Sequence, residues 1–241
     1  MRILITGASG LLGVNLALET AREHTVFGVV NTRKLNAAAF TVLQADLLEP
    51  GAVDRVLDRA QPEWVIHCAA LANLEACEQN PDLARELNTE LPRVLASQCR
   101  KGGARLLHVS TDAVFDGHRG GYTERDAPNP VNLYARTKLE GEKAVLETEP
   151  GAIVARVNLF GWSLSGERSL AEFFFNNLKA GNRVMGFTDV SFCPLLANDL
   201  AHVFVTMLQK GLHGLYHVVN PSCLSKYDFG VAIARKFGFD P

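Results

Sequence analysis

No apolar run in the chain approaches the roughly 18 residues that a membrane-spanning helix requires. Neither sign of charge is in excess. Against 24 Lys and Arg stand 26 Asp and Glu, and a net charge of −2 gives no basis for nucleic acid or an anionic membrane as the main partner. The spacings of a metal site are missing as well: the seven histidines are scattered without an HExxH, and there is no CxxC. The five cysteines, Cys68, Cys77, Cys99, Cys193 and Cys223, form an odd set. They are expected to be free thiols in a reducing cytosol rather than a disulfide or zinc framework, which predicts a cytoplasmic protein. The apolar start, Ile3 to Ile5, is too short for a signal-peptide core and runs straight into glycines, so no leader is expected. There is no internal repeat and no low-complexity linker.

What is present is an alternation. RILIT (2–6), TVFGVV (25–30), FTVLQ (40–44), WVIHC (64–68), RLLHVS (105–110) and AIVARV (152–157) are continuously apolar, as strands are when both faces of a sheet are covered. His67, inside one of them, is expected to be a satisfied core residue. Helical patterns fall between the strands, at 11–22, 51–60, 81–101 and 132–148. This rhythm predicts a doubly wound parallel α/β sheet of the Rossmann type over residues 1–160. Beyond 160 it loosens into helical stretches at 169–181, 196–211 and 225–237 and a strand at 214–220. Residues 161–241 are expected to form mostly a small substrate-binding lobe, with some segments returning to the core. Asn198 or Asp199 is expected near the start of the 196–211 helix.

Gly7, Gly10 and Gly13 follow the first strand at steps of three. A strand ending at Thr6 must turn sharply into a helix starting near Leu11. Gly7 would make the turn, Gly10 would leave a pyrophosphate room to reach the backbone, and Gly13 would let the helix pack closely on the strand. The same spacing also fits a tight turn that binds nothing. The second strand ends in Asn31, Thr32, Arg33 and Lys34, where an NAD site usually carries an acid. Two cations and no carboxylate favour NADP(H) over NAD(H), unless Arg33 and Lys34 are only a solvated loop. Asp46, after the third strand, could accept from the adenine amino group or cap the next helix.

Tyr134 and Lys138, four residues apart in NLYARTKLEGEK, share one face of a helix. An ammonium beside a phenol is expected to lower its pKa and so fit it for proton exchange with a carbonyl or alcohol. YxxxK alone equally describes an exposed helix face. Ser110, Thr111 and Asp112, however, end the fifth strand, where open α/β sheets bind their ligands. A Thr111 hydroxyl there could hold the oxygen that Tyr134 protonates.

With TGASGLLG, VIHCAALANLEACEQNP, ELNTELPRVLA, LHVSTDAVFDG, YTERDAPNPVNLYARTKLEGEK and GLYHVVN taken together, the chain resembles the extended short-chain dehydrogenase/reductases that act on nucleotide sugars. Within them it is most similar to the dTDP-4-dehydrorhamnose reductase group. The resemblance implies an NAD(P)H-dependent reductase of a keto group on a nucleotide sugar, with Thr111, Tyr134 and Lys138 as the catalytic residues. It implies a cofactor site made of Gly7, Ser9, Gly10, Leu11, Leu12 and Gly13, of Asn31, Arg33 and Lys34, of Asp46 and Leu47, of Cys68, Ala69 and Ala70, and of Ser110, Tyr134 and Lys138. The substrate would meet Thr111, Asp112 and Asn158, and Asn88 would stand in the helix behind. No metal site is implied, and a homodimer is left open.

Related dehydratases carry an Asp-Glu pair after the catalytic Thr, whereas here Ala113 follows Asp112. Two departures from the reductase group stand out. Leu11 replaces a polar residue after the second glycine, and Leu159 occupies the place of a Trp, with Trp162 displaced. Phe173, Phe174 and Phe175 are expected as helix core, and Glu124 and Asp126 as a solvated loop. The rival readings are a nucleotide-sugar epimerase using the same residues, and a non-catalytic NADP-binding regulatory subunit resembling that of methionine adenosyltransferase.

Overall fold

Strands that are apolar on both faces need a layer on each side, and the computed structural model, which describes residues 1–241, supplies both. The chain runs β1 (Arg2–Thr6), α1 (Leu11–Thr20), β2 (Thr25–Val30), β3 (Thr41–Gln44), α2 (Ala52–Ala60), β4 (Trp64–His67), α3 (Leu74–Gln79), α4 (Pro81–Arg85), α5 (Leu91–Gly102), β5 (Arg105–Thr111) and α6 (Leu133–Thr148). It continues through β6 (Ile153–Val157), β7 (Leu159–Phe160), α7 (Leu170–Lys179), β8 (Ser191–Phe192), β9 (Leu195–Leu196), α8 (Ala197–Gln209), β10 (Gly214–Val218), β11 (Leu224–Ser225) and α9 (Lys226–Phe237).

Seven strands form one sheet in the order β10-β6-β5-β4-β1-β2-β3, every neighbouring pair parallel. The chain builds outward from β1 to β3, then crosses back to lay β4 on the other side of β1. That reversal opens a crevice at the carboxyl ends of β1 and β4. Successive side chains commit to opposite faces. Ile3, Ile5, Ile66 and Leu107 join Leu16 of α1 and Leu200 and Phe204 of α8 in one core. Leu4, Val65, Leu106 and Val154 join Val56 of α2, Ala96 of α5 and Val145 of α6 in the other. A separate small cluster holds Phe174 of α7 with Phe229 and Ile233 of α9, and Phe192 and Leu224 pack against it. Phe173 is exposed instead, and Phe175 stacks edge-on against Trp162 and Phe237.

The helix expected over 81–101 is interrupted. Between α4 and α5 the backbone makes one π-helical turn, Glu86–Glu90. Pro92 has no N–H to give the carbonyl of Asn88 four residues back, so the ladder widens there. The side chain of Asn88 is fully buried: it accepts from Leu71 N at 2.9 Å and donates to Leu71 O and Thr137 Oγ1. At the start of α8 no side chain caps the helix, and Asn198 donates instead to Glu19 on α1.

The cysteines correct the sequence expectation. Cys68, Cys77 and Cys99 are free, but Cys193 and Cys223 form a disulfide with Cα atoms 4.1 Å apart. The reason is register: β8 and β11 pair antiparallel with Phe192 opposite Leu224, which makes Cys193 and Cys223 the next cross-strand pair. No local spacing encodes a contact between residues 30 apart. No helix is long and apolar enough to cross a membrane. Closing a loop of that length is worth about 3–4 kcal/mol in the chain-entropy picture. Cys223→Ser, or reduction of the wild type, is therefore expected to lower the thermal midpoint. A midpoint insensitive to reductant would show that the bridge does not constrain the unfolded chain.

Candidate active site

The turn from β1 into α1 is built on Gly7, whose φ of +68° lies in the left-handed region. Gly13 is required by close approach, because a Cβ there would stand 2.2 Å from the Gly7 carbonyl oxygen. It thus seats the helix on the turn itself rather than on the strand. Gly10 is the N-cap, and no side chain caps the helix. Its orphan N–H groups and the positive end of the helix dipole are therefore available to an anion.

Two cavities meet over this turn. One, of about 410 Å³, is lined by Gly7, Gly10, Leu11, Leu12, Gly13, Cys68, Ala70, Ser110, Thr111, Asp112, Tyr134, Lys138, Asn158 and Leu159. The other, of about 260 Å³, is lined by Ser9, Asn31, Asp46, Leu47 and Ala69, and shares Gly7, Gly10, Cys68 and Ala70 with the first. Arg33 and Lys34 are exposed and line neither. Asp46 accepts from Leu48 N at 3.0 Å, closing its own turn, while α2 is capped by Gly51. A larger, open cavity of about 710 Å³ lies at the opposite edge of the sheet, among Met1, Glu63, Trp64 and Arg105. It is at the wrong end of the strands for a doubly wound fold's ligand.

The reactive groups converge in the first cavity. Thr111 is the last residue of β5, and its Oγ1 accepts from Ala113 N at 3.1 Å. Asp112 and Asn158 face each other, with Asn158 Nδ2 donating to Asp112 Oδ2. Burial pushes the Tyr134 phenol up to about 12, with the Thr111 hydroxyl acting in the opposite sense. The expected depression of that phenol by Lys138 is not what the geometry gives. The Lys138 Nζ is buried, donates to Val109 O at 2.7 Å and faces His108 Nε2 at 3.4 Å. Burial pulls the Lys138 ammonium down to about 8, while the charge of Glu142 acts to raise it.

Beneath the cavity lies a buried ion pair that spacing did not disclose. Glu142, one turn beyond Lys138, accepts from Nε and Nη2 of Arg156 on β6 and from the Ser110 hydroxyl. Ser110 thus ends in a salt bridge as well as lining the cavity. Arg168 was also missed: it overhangs both cavities from the loop before α7. Trp162 does not line either one, whereas Leu159 lines the first. Glu124 and Asp126 are on the surface but are not merely solvated. Glu124 accepts from the backbone of His217 on β10, and Asp126 accepts from Thr123 and pairs with Arg119.

The whole chain, residues 1–241, matches the family model described as RmlD substrate binding domain. The chain belongs to this family. It is 34% identical to a dTDP-4-dehydrorhamnose reductase of Mycobacterium tuberculosis, covering 100% of this chain and 77% of the relative. It is 35% identical to the methionine adenosyltransferase 2 subunit beta of Bos taurus, covering 98% and 72%. Its fold superposes with a TM-score of 0.83 on the crystal structure of a dTDP-4-dehydrorhamnose reductase from Bacillus anthracis in complex with NADP, at 27% identity and covering 99% and 81%. Leu159 gives the first cavity an aliphatic wall.

Removing one partner of a buried ion pair leaves the other charge uncompensated, at a cost of about 3–5 kcal/mol. Glu142→Ala is expected to lose that much in denaturant unfolding, more than Glu142→Gln, which keeps an acceptor for Arg156. Equal stability of Glu142→Ala and wild type would contradict the pairing.

Proposed function

We propose that the chain reduces a keto group on a nucleotide sugar with a nicotinamide cofactor, NADPH in preference to NADH. One observation carries this reading: Thr111, Tyr134 and Lys138 line the same cavity as the glycine turn. Two cavities astride one turn suit the two halves of a dinucleotide. The backbone of Gly10 to Gly13 would hold the pyrophosphate, with Arg168 adding a cation. Ser9, Asn31, Asp46 and Leu47 would surround the adenosine half, with Arg33 and Lys34 reaching a 2′-phosphate from the β2 loop. Cys68, Ala69, Ala70 and Ser110 would line the path to the nicotinamide half, with Lys138 on its ribose. When bound there, a reduced nicotinamide would supply the hydride for the substrate carbonyl.

Thr111, with Asp112 and Asn158, orients the sugar. Tyr134 gives its proton to the carbonyl oxygen. A phenol held near 12 by burial stays protonated at neutral pH and is still acidic enough to quench an alkoxide. Lys138, whose ammonium is held by Val109 O, would add positive charge to the cavity in which the phenolate remains. Because its own pKa is drawn down to about 8, that charge is complete only below this pH, and turnover is expected to fall as pH rises through it. We read residues 1–160 as the cofactor-binding part and 161–241 mostly as the substrate wall, since α7, α9, β8 and β11 share a small core of their own. Two segments rejoin the main body: β10 pairs with β6 in the sheet, and α8 packs Leu200 and Phe204 into the core beside α1.

Tyr134→Phe is expected to lower kcat by about 10²–10⁴-fold with cofactor affinity nearly unchanged. Full activity of that variant would overturn the mechanism. The likeness to the methionine adenosyltransferase subunit favours a second, regulatory reading. NADPH binding without turnover of any 4-keto sugar, together with a stable complex with a larger catalytic partner, would support it. In fluorescence titrations NADPH should bind more tightly than NADH, and Arg33→Ala should narrow the gap. Equal wild-type affinities would reduce the basic pair to loop.

A further inference from the structure

Two histidines stack in the core directly under Lys138. The rings of His67 on β4 and His108 on β5 lie 5.2 Å apart at 27°, and both are essentially fully buried. Each has one ring nitrogen without a partner, His67 Nε2 and His108 Nδ1. Leaving a buried donor unpaired is costly, about 1–3 kcal/mol, and an apolar ring or a leucine would fill the same space without it. The partnered nitrogens show what the polar rings are for. Thr6 Oγ1 accepts from Cys68 N and Ala69 N, so its own proton goes to His67 Nδ1 at 2.6 Å, which fixes His67 as the Nε2–H tautomer. On His108 the one atom with a partner is Nε2, 3.4 Å from the Lys138 ammonium. An ammonium has no lone pair, so Nε2 must accept, and the ring proton sits on the orphaned Nδ1.

We propose that His108 is a positioning residue for Lys138: neutral, with Nε2 accepting from Nζ, it joins the Val109 carbonyl in holding the ammonium charged inside the core. This rests on the reading of Lys138 as part of the reductase site.

The groups facing that ammonium can be named. They are His67 and Cys68 at the end of β4, His108 on β5 and Glu142 from its own helix, with Glu142 engaged by Arg156 of β6, while Tyr134 lines the same cavity. Glu142 is thus shared with Arg156 and Ser110, Cys68 is held as a neutral thiol by burial, and both histidines are held neutral by burial. The contacts to Lys138 Nζ are the Val109 carbonyl and His108 Nε2. Taking away an acceptor that favours the charged form must lower the pKa of the lysine further. The side chain of Gln places an acceptor oxygen near the position of Nε2, whereas Asn places one near Nδ1 and cannot reach Nζ.

The test uses the cofactor-free protein labelled with ¹⁵N-lysine, with the Lys138 signal assigned by its loss in Lys138→Met. The wild-type side chain should titrate near 8. His108→Leu and His108→Asn should titrate lower by about one pH unit, and His108→Gln should stay close to wild type. In the kcat profile the high-pH limb should move down in Leu and Asn and be restored in Gln. A purely structural role would lower stability without moving either titration. Wild-type titration in folded Leu or Asn variants, or a Gln variant that behaves like Leu, overturns the proposal. The ¹⁵N shifts of His108 in the native protein decide it without any variant, because a protonated Nε2 contradicts it. If the chain reduces no keto sugar, only the kcat arm is lost, and the lysine titration and the histidine tautomer still decide the role of His108.

Discussion

A parallel sheet covered on both faces leaves its carboxyl edge as the place to work. Here the alternation of Ile3, Leu4 and Ile5 sends side chains into two separate cores, so the strands themselves are committed to packing. Only where they stop, at Thr6, His67, Thr111 and Val157, can the chain turn its groups towards a ligand. The order of the strands then selects the place along that edge. β1 and β4 lead away in opposite directions, and the glycine turn, Cys68 and Thr111 gather around the gap.

The same burial that builds the sheet sets the chemistry of the groups at its edge. It drives the Tyr134 phenol up and the Lys138 ammonium down, in the directions expected when charged forms lose water. For a reduction this is a serviceable pairing. The phenol stays protonated at neutral pH, and the lysine ammonium donates to the Val109 carbonyl of β5. Beneath them, Glu142 and Arg156 tie α6 to β6 and fix the height at which Tyr134 meets the end of β5. The RmlD family membership and the NADP-bound relative from Bacillus anthracis agree with this chemistry.

The sheet was legible because its strands are continuous apolar runs, and the glycine turn because glycine answers to a backbone demand that can be stated in advance. Tyr134 and Lys138 could be paired because helical spacing is local. The failures were non-local or depended on direction. A four-residue step puts a lysine beside a tyrosine but does not say which way the ammonium turns, and here it turns to Val109 and His108. The Cys193–Cys223 bridge follows from the pairing of two short strands that carry no pattern of their own. Arg168 comes from a loop whose path over the cavities depends on the folded lobe. The break at Glu86–Glu90 was readable after all, from Pro92, within what reads as one helix.

The central claim is that this edge transfers a hydride to a keto sugar and protonates the resulting oxygen. A single-turnover experiment with stoichiometric NADPH and a panel of 4-keto nucleotide sugars, followed by the absorbance of the reduced nicotinamide, tests it most directly. For at least one sugar the reduced cofactor should be consumed one for one with the keto group, leaving an alcohol. Tight NADPH binding with the absorbance unchanged across the panel would contradict it, as would conversion of a sugar without net oxidation of the cofactor.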